Sequence, residues 1–345
     1  VRIAVWLGGL ALAGLICQLL GIDLRGWISD LWDAIKGVAV GYLVLGLVLQ
    51  TAQTILTALA WVAILRAGYP RAGIKALPII TCYAVSVALN GVLPANLGTF
   101  TMLFMFLAII AGATFPGIFA GYLVQKIFFT IAGTAVYLYL FLSVPGSFDI
   151  QLGGVHDHWG LTLVIVVGAL FLLVLVVRIF WRWVKKLWAQ AKQGGAILAT
   201  PRAYLVKVAL PSAGAYGAKL GVIAVFLAAY SIPVTFHTVM TVVGGNSLAN
   251  VTSVTPGGVG VNQAINAATL SGVTDTATAT AYSLGQQLIT TAWNIIFAIV
   301  LVSVTFGWSG GKELVSTSYA DAKVKAGEMR SRKEKDESAD EAEPA

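Results

Sequence analysis

The chain has 345 residues, of which 58% are apolar and 11% charged, and its mean hydropathy is +0.85. No water-soluble domain of this length could bury so much apolar surface in one core, so the composition excludes a soluble enzyme and describes a polytopic, all-α membrane protein. The formal charge of +7 comes without a basic domain interleaved with aromatics, so it reports membrane orientation and not a nucleic-acid partner.

The first apolar run, Val1 to Ile22, ends in "QLLGIDLRG" without the small-x-small cleavage pattern of a signal peptide, and it reads as a membrane span. "DLRGWISDLWDAIKG" (Asp23 to Gly37) reads as a mixed-charge interfacial helix. Val38 to Ile64, Gly117 to Val144, Leu161 to Val177, Pro211 to Tyr230 and Tyr282 to Val304 are each about 17 to 28 residues long, enough to cross the hydrocarbon. Together with the first run they make six expected spans.

Two further apolar regions, Ala76 to Ala113 and Thr238 to Val273, are interrupted by breaks of matched spacing: "PANLG" (Pro94 to Gly98) and "PGGVG" (Pro256 to Gly260). The half-segments are about 14 to 18 residues long, closer to broken or re-entrant hairpins than to pairs of full crossings. Each Gly and Pro could equally serve close helix packing or an ordinary loop.

Arg66, Arg71 and Lys75 share one short loop, and Arg178, Arg182, Lys185, Lys186, Lys192, Arg202 and Lys207 fill another, which assigns both loops to the cytoplasm. Ser143 to Gly160 contains no Lys or Arg and is expected outside. With these assignments the first hairpin enters from the cytoplasm and the second from outside, an inverted repeat whose broken helices would meet near the bilayer midplane. Both termini are expected in the cytoplasm, in a multi-pass protein of the cytoplasmic membrane.

"NSLANVTSVTPGGVGVNQAINAATLSGV" (Asn246 to Val273), with its Pro256-Gly257-Gly258-Val259-Gly260 run, resembles the lysylphosphatidylglycerol synthase transmembrane region, a flippase-like membrane family also met as stand-alone proteins. The earlier Asn90 to Gly98 stretch is similar to the family's first-half counterpart, and the resemblance covers the chain to about Gly311. It implies a lipid transporter or flippase. This chain has Gln263 where the family commonly places Glu, and Thr99 where an acidic residue often follows the first-half Gly. The soluble aminoacyl-transferase domain of the full synthase is not found in the sequence. The domains are therefore expected to be a transmembrane unit, 1–311, and a disordered, charged cytoplasmic tail, 312–345.

Charge placement bears on mechanism independently. Every Glu lies at or after Glu313, and Asp23, Asp30, Asp33, Asp149, Asp157 and Asp275 fall in expected loops or at span edges. A carboxylate-based catalytic, metal or proton-relay centre inside the membrane is thus disfavoured. Lys126 and Lys219 do sit inside apolar runs, about 12 to 14 Å from the expected cytoplasmic starts of their helices. With no buried acid to pair them, the fitting partner is an anion carried by a substrate, such as a lipid phosphate; snorkelling to the interface is the alternative.

The residues expected to contact substrate are Asn90, Pro94, Asn96, Gly98, Lys126, Lys219, Asn250, Pro256, Gly257, Gly258, Gly260 and Gln263; Asn246, Asn262 and Asn266 beside the breaks and Gln50, Gln53, Gln286, Gln287 and Asn294 in flanking spans either add polar groups to the path or tie helices together. No catalytic residue, metal or cofactor is expected; two histidines in "HDH" (His156 to His158) read as solvated. "RIFWRWVKKLWAQAK" (Arg178 to Lys192) reads as an interfacial anchor for anionic lipids. The expected partners are membrane phospholipids, anionic or polyprenyl-phosphate lipids in particular, and a lipid-modifying enzyme. The function expected is transport of an anionic, phosphate-bearing lipid; a membrane-embedded transferase or accessory subunit acting on polyprenyl-phosphate lipids is the other reading.

Overall fold

The computed structural model describes residues 38–93, 97–143, 192, 194–252 and 258–341. Among these, every regular element is helical. Helix α1 spans Val40–Gly68, α2 Ala76–Asn90, α3 Leu97–Ile109 and α4 Phe115–Ser143. After a 3₁₀ turn at Ala196–Ala199, α5 runs over Pro201–Ala229, α6 over Phe236–Thr252, α7 over Val261–Thr269 and α8 over Thr276–Glu341. Four of them are long and apolar enough to cross a membrane: Val40–Gly68, Phe115–Ser143, Pro201–Ala229 and Thr276–Gly307. The spans expected at Val1 to Ile22 and Leu161 to Val177, the two interfacial segments and the His156–His158 cluster lie outside the described residues.

Local chemistry sets several of these starts. Thr114 accepts the Gly117 N–H on its hydroxyl (3.3 Å) at the start of α4, Thr235 does the same for Thr238 (3.1 Å) ahead of α6, and Asp275 accepts the Thr278 N–H on its carboxylate (2.9 Å) ahead of α8. In each case a side-chain oxygen satisfies an amide that the helix itself leaves unpaired. In the apolar stretches that follow, hydroxyls such as Thr51, Thr54 and Thr57 bond back to the carbonyl four residues earlier and hide their polarity from lipid.

The element order is long, short, short, long, and then the same again. Helices α1 and α5 pack most extensively against each other. The interface is close because Gly46 lies beneath the Phe226 ring, where a Cβ would come within 2.7 Å of the ring edge. Two apolar cores result, one around each hairpin. Trp61 of α1, Ile79 and Val85 of α2 and Met102 and Phe106 of α3 are joined by Ala298 and Val302 of α8. Val136 of α4 joins Phe226 and Leu227 of α5, Val239 and Val242 of α6 and Tyr282 of α8 in the other. Each hairpin is thus covered by a long helix from the opposite half of the chain.

Two expectations change. The span expected to begin at Pro211 begins at Pro201, because a π turn at Leu205–Ala209 widens the helix just before Pro211 and makes room for a ring that would otherwise meet the preceding carbonyls. The segment after Lys312, expected to be disordered, is helical to Glu341 beyond a kink at Gly307 (φ 69°). Its Ala-, Lys-, Glu- and Arg-rich composition has high helix propensity even without an apolar stripe.

Candidate functional site

The first hairpin is closed by its own polar residues. Asn90, the last residue of α2, donates from Nδ2 to the Thr99 hydroxyl (2.9 Å) and accepts the Thr99 N–H on Oδ1 (3.2 Å). Its amide therefore caps the N-terminal turn of α3. Gly98 permits this approach: a Cβ there would stand 2.5 Å from the Ser86 carbonyl oxygen and 2.7 Å from Asn90 N and Oδ1. Asn90 and Gly98 thus hold two half-helices together. Pro94 and Asn96, between them, lie outside the described residues.

The second break is built differently. Gly258 and Gly260 have φ of 75° and 86°, a region costly for residues with a Cβ, and so turn the chain back into α7. Gln263 closes the turn by accepting the Gly260 N–H on Oε1 (2.7 Å), and its Nε2 donates to Gln287 Oε1 of α8 (2.8 Å). Gln263 is buried. Pro256 and Gly257 lie outside the described residues; Asn250 falls near the end of α6.

Beside this break lies a cavity of about 210 Å³ whose lining comes from four helices: Lys219 of α5, Asn246 of α6, Asn262 and Asn266 of α7, and Ser283, Gln286, Gln287 and Thr290 of α8. Every lining residue is polar. At about 30 Å³ per molecule the space equals roughly seven waters, enough for a phosphate-sized group but not for a whole lipid. Asn266 organises its wall by donating to Asn246 Oδ1 (3.1 Å) and the Ser283 hydroxyl (2.9 Å). The polar seam continues along α8, where Gln50 of α1 donates to Asn294 (3.2 Å) and Trp293 Nε1 donates to Thr51 (2.8 Å).

The described helices up to Gly307 contain no Asp or Glu. Lys219 is therefore the charge at this cavity. It stands eighteen residues into α5, about 27 Å from its first residue and about 15 Å from its last at 1.5 Å per residue, deeper than a start at Pro211 would put it. Its Nζ lies 6.0 Å from the centre of the Tyr216 ring, which Phe128 and Phe129 of α4 flank. Lys126 on α4 lies within electrostatic range of Lys219, with its own Nζ 5.3 Å from the Tyr122 ring. Cation–π contacts of this kind contribute about 0.5–1 kcal/mol, less than the roughly 2.5–3.5 kcal/mol cost of a lysine at mid-membrane. Lys126 does not line the cavity.

Of the described residues singled out in the sequence, the structure brings Lys219, Asn246, Asn262, Asn266, Gln286 and Gln287 to the cavity wall; Gln263 stands just behind it and secures Gln287, while Asn90, Gly98, Lys126, Gly258 and Gly260 lie off the wall. Ser283 and Thr290 were missed. The signal was available: Ser283, Gln287, Thr290 and Asn294 recur at three- and four-residue steps, a polar stripe down an otherwise apolar helix.

A deep lysine among neutral amides beside a glycine-broken helix is the setting in which the wider likeness can be judged. The profile of the lysylphosphatidylglycerol synthase TM region matches residues 3–298. The chain belongs to that family. As a member of the lysylphosphatidylglycerol synthase TM family it is a multi-pass membrane protein related to lipid handling. Comparison with curated proteins and with solved structures gives no match.

Proposed function

We propose that this protein moves an anionic, phosphate-bearing lipid, including aminoacylated or glycosylated forms, between the leaflets of the cytoplasmic membrane. The observation that carries the reading is the polar cavity with Lys219 on its wall and no carboxylate in the described helices around it up to Gly307. A cation that deep needs an anion, and the substrate brings one. The lipid phosphate would bind at Lys219 and exchange its hydration for the amides of Asn246, Asn262 and Gln286, while the acyl chains stay in the bilayer.

The long–short–short–long order, occurring twice, supports an inverted repeat with the two breaks approaching from opposite faces and both termini in the cytoplasm. In that arrangement each hairpin would move with the long helix of the other half that packs against it, about the α1–α5 contact. The path would open alternately to either leaflet.

The test is reconstitution in liposomes containing a fluorescent anionic phospholipid, with leaflet exchange read by quenching from outside and lipid composition read afterwards. Exchange without covalent change is expected. Lys219→Met should weaken half-saturation about ten- to a hundred-fold, the equivalent of a partly desolvated charge-assisted bond of about 1.5–3 kcal/mol, and Lys219→Arg should retain part of it. A new lipid product, or equal exchange rates in the Met variant and the parent, would sink the proposal.

A further inference from the structure

A second cavity, about 630 Å³, opens between the last turns of α1 and the first turns of α5. Its chemistry differs from that of the polar cavity. Leu59, Val62, Ala63 and Ala203 give it apolar walls, and Arg66 and Lys207 stand at its edge. Arg66 donates from Nε to the Ile74 carbonyl (3.0 Å), which fixes the guanidinium while leaving its terminal nitrogens available. Lys207 is the central residue of the π turn, and such turns concentrate at functional sites because they disturb the helical ladder at some cost.

Two further features point to an anion. Thr200 and Ala203 place the first turn of α5 on the cavity wall, where helix amides carry partial positive charge. No Asp or Glu occurs in residues 34–148 or 158–274, the stretches that supply the whole lining, so the lining itself offers no carboxylate to neutralise the two cations. Around them Leu205 and Val206 are exposed at 59% and 55%, an apolar surface directly beside charge, as suits the boundary between headgroups and acyl chains.

We propose that this groove binds one anionic phospholipid of the adjacent leaflet, with its phosphate between Arg66 and Lys207 and an acyl chain along Leu59, Val62 and Ala63. Basic pockets between membrane helices hold anionic headgroups in this way. On the positive-inside assignment of Arg66, Arg71 and Lys75 that leaflet is cytoplasmic. Lys207 and Lys219 are twelve residues apart, about 18 Å along α5, so the groove lipid is distinct from a lipid in transit and would brace the α1–α5 contact. This site stands whether or not the polar cavity transports lipid.

The full chain in detergent is titrated with diacyl phosphatidylglycerol, diacyl phosphatidylcholine or inorganic phosphate, with the rise in Tm as readout. The titration is repeated in Lys219→Met so that the two sites are read separately. Phosphatidylglycerol should stabilise both backgrounds, and phosphatidylcholine and phosphate should do so far less. Lys207→Gln should raise the half-saturating concentration about tenfold, Lys207→Arg should restore most of it, and Lys75→Gln should change it less than twofold. Ala63→Trp should fill the groove and block the stabilisation without removing charge. Equal weakening by Lys75→Gln and Lys207→Gln would reduce the effect to diffuse charge and overturn the site. Stabilisation by inorganic phosphate equal to that by lipid, or an unchanged titration in Ala63→Trp, would overturn the lipid as its occupant.

Discussion

The amides around the two breaks divide by what they already bond. Gln263 is buried and bonds both the Gly260 N–H and Gln287, so Gln263→Leu removes two part-buried hydrogen bonds and should cost about 1–3 kcal/mol, lowering Tm and transport together. Gln286 lines the cavity and, among the described residues, its side chain makes no hydrogen bond; Gln286→Leu should lower transport with little change in Tm. Thermal unfolding measured beside liposome exchange checks both. Asp275 supplies a pH test outside the membrane. The Thr278 hydroxyl (2.6 Å) first, and then the Thr278 amide, hold its carboxyl below the ordinary carboxylate range. A depressed folded pKa means a contribution that is present above the unfolded value near 3.8 and lost as pH falls through the folded one. Tm should therefore decline below about pH 4 in the parent, and Asp275→Asn should flatten that part of the decline. Identical acid limbs in the two proteins would remove Asp275 from the account.

At the scale of elements, both breaks are set by glycines, for different reasons. Gly98 is needed for space: Gly98→Ala forces a methyl against the Ser86 carbonyl and the Asn90 amide and should cost about 1–3 kcal/mol. Gly260 is needed for conformation: nothing lies within 4 Å of its missing Cβ, so Gly260→Ala meets only the backbone penalty at φ 86°, ψ −51°, about 1–3 kcal/mol. Denaturant or thermal unfolding should give losses in both, and Asn90→Ala should not relieve Gly98→Ala, because the Ser86 carbonyl and the Asn90 backbone nitrogen would still stand 2.5 and 2.7 Å from the added methyl. The matched P-x-x-x-G spacing made both hairpins legible in the sequence. It could not tell which glycine answers to space and which to φ, because that depends on the strand of chain opposite. The same limit explains α5: its start at Pro201 rests on a π turn that no residue pattern announces, and the depth of Lys219 followed from it.

For the whole molecule, the proposed inverted topology predicts opposite accessibility of the two breaks. Single cysteines at Ala95 and Val259, in a background without Cys17 and Cys82, should react with impermeant reagent from opposite sides of sealed vesicles. Reaction of both from one side, with neither protected by the bilayer, would sink the inverted repeat. The crossed packing makes a further demand of the same kind. Tyr137 of α4 donates to the Gly244 carbonyl of α6 (3.1 Å), and Thr81 of α2 meets Thr305 of α8 (2.7 Å), so each hairpin is tied to a helix more than a hundred residues away.

By itself the sequence determined the solvent, the helical class, the four long described spans to within about ten residues at their ends, the two glycine breaks and the absence of acid from the bundle. These follow from hydropathy, helix rise and the cost of charge in lipid, which depend on residue type and local spacing alone. The tertiary structure decided which polar residues face one another. Asn246, Asn266 and Gln286 come from three helices separated by up to forty residues, and they meet at Lys219 only because α5, α6, α7 and α8 pack around one point. Asn90 and Gln263 looked like the same kind of residue in the sequence, yet their amides are spent on the hairpins themselves. An amide's role is fixed by which donors and acceptors lie within about 3 Å, and packing alone sets that distance.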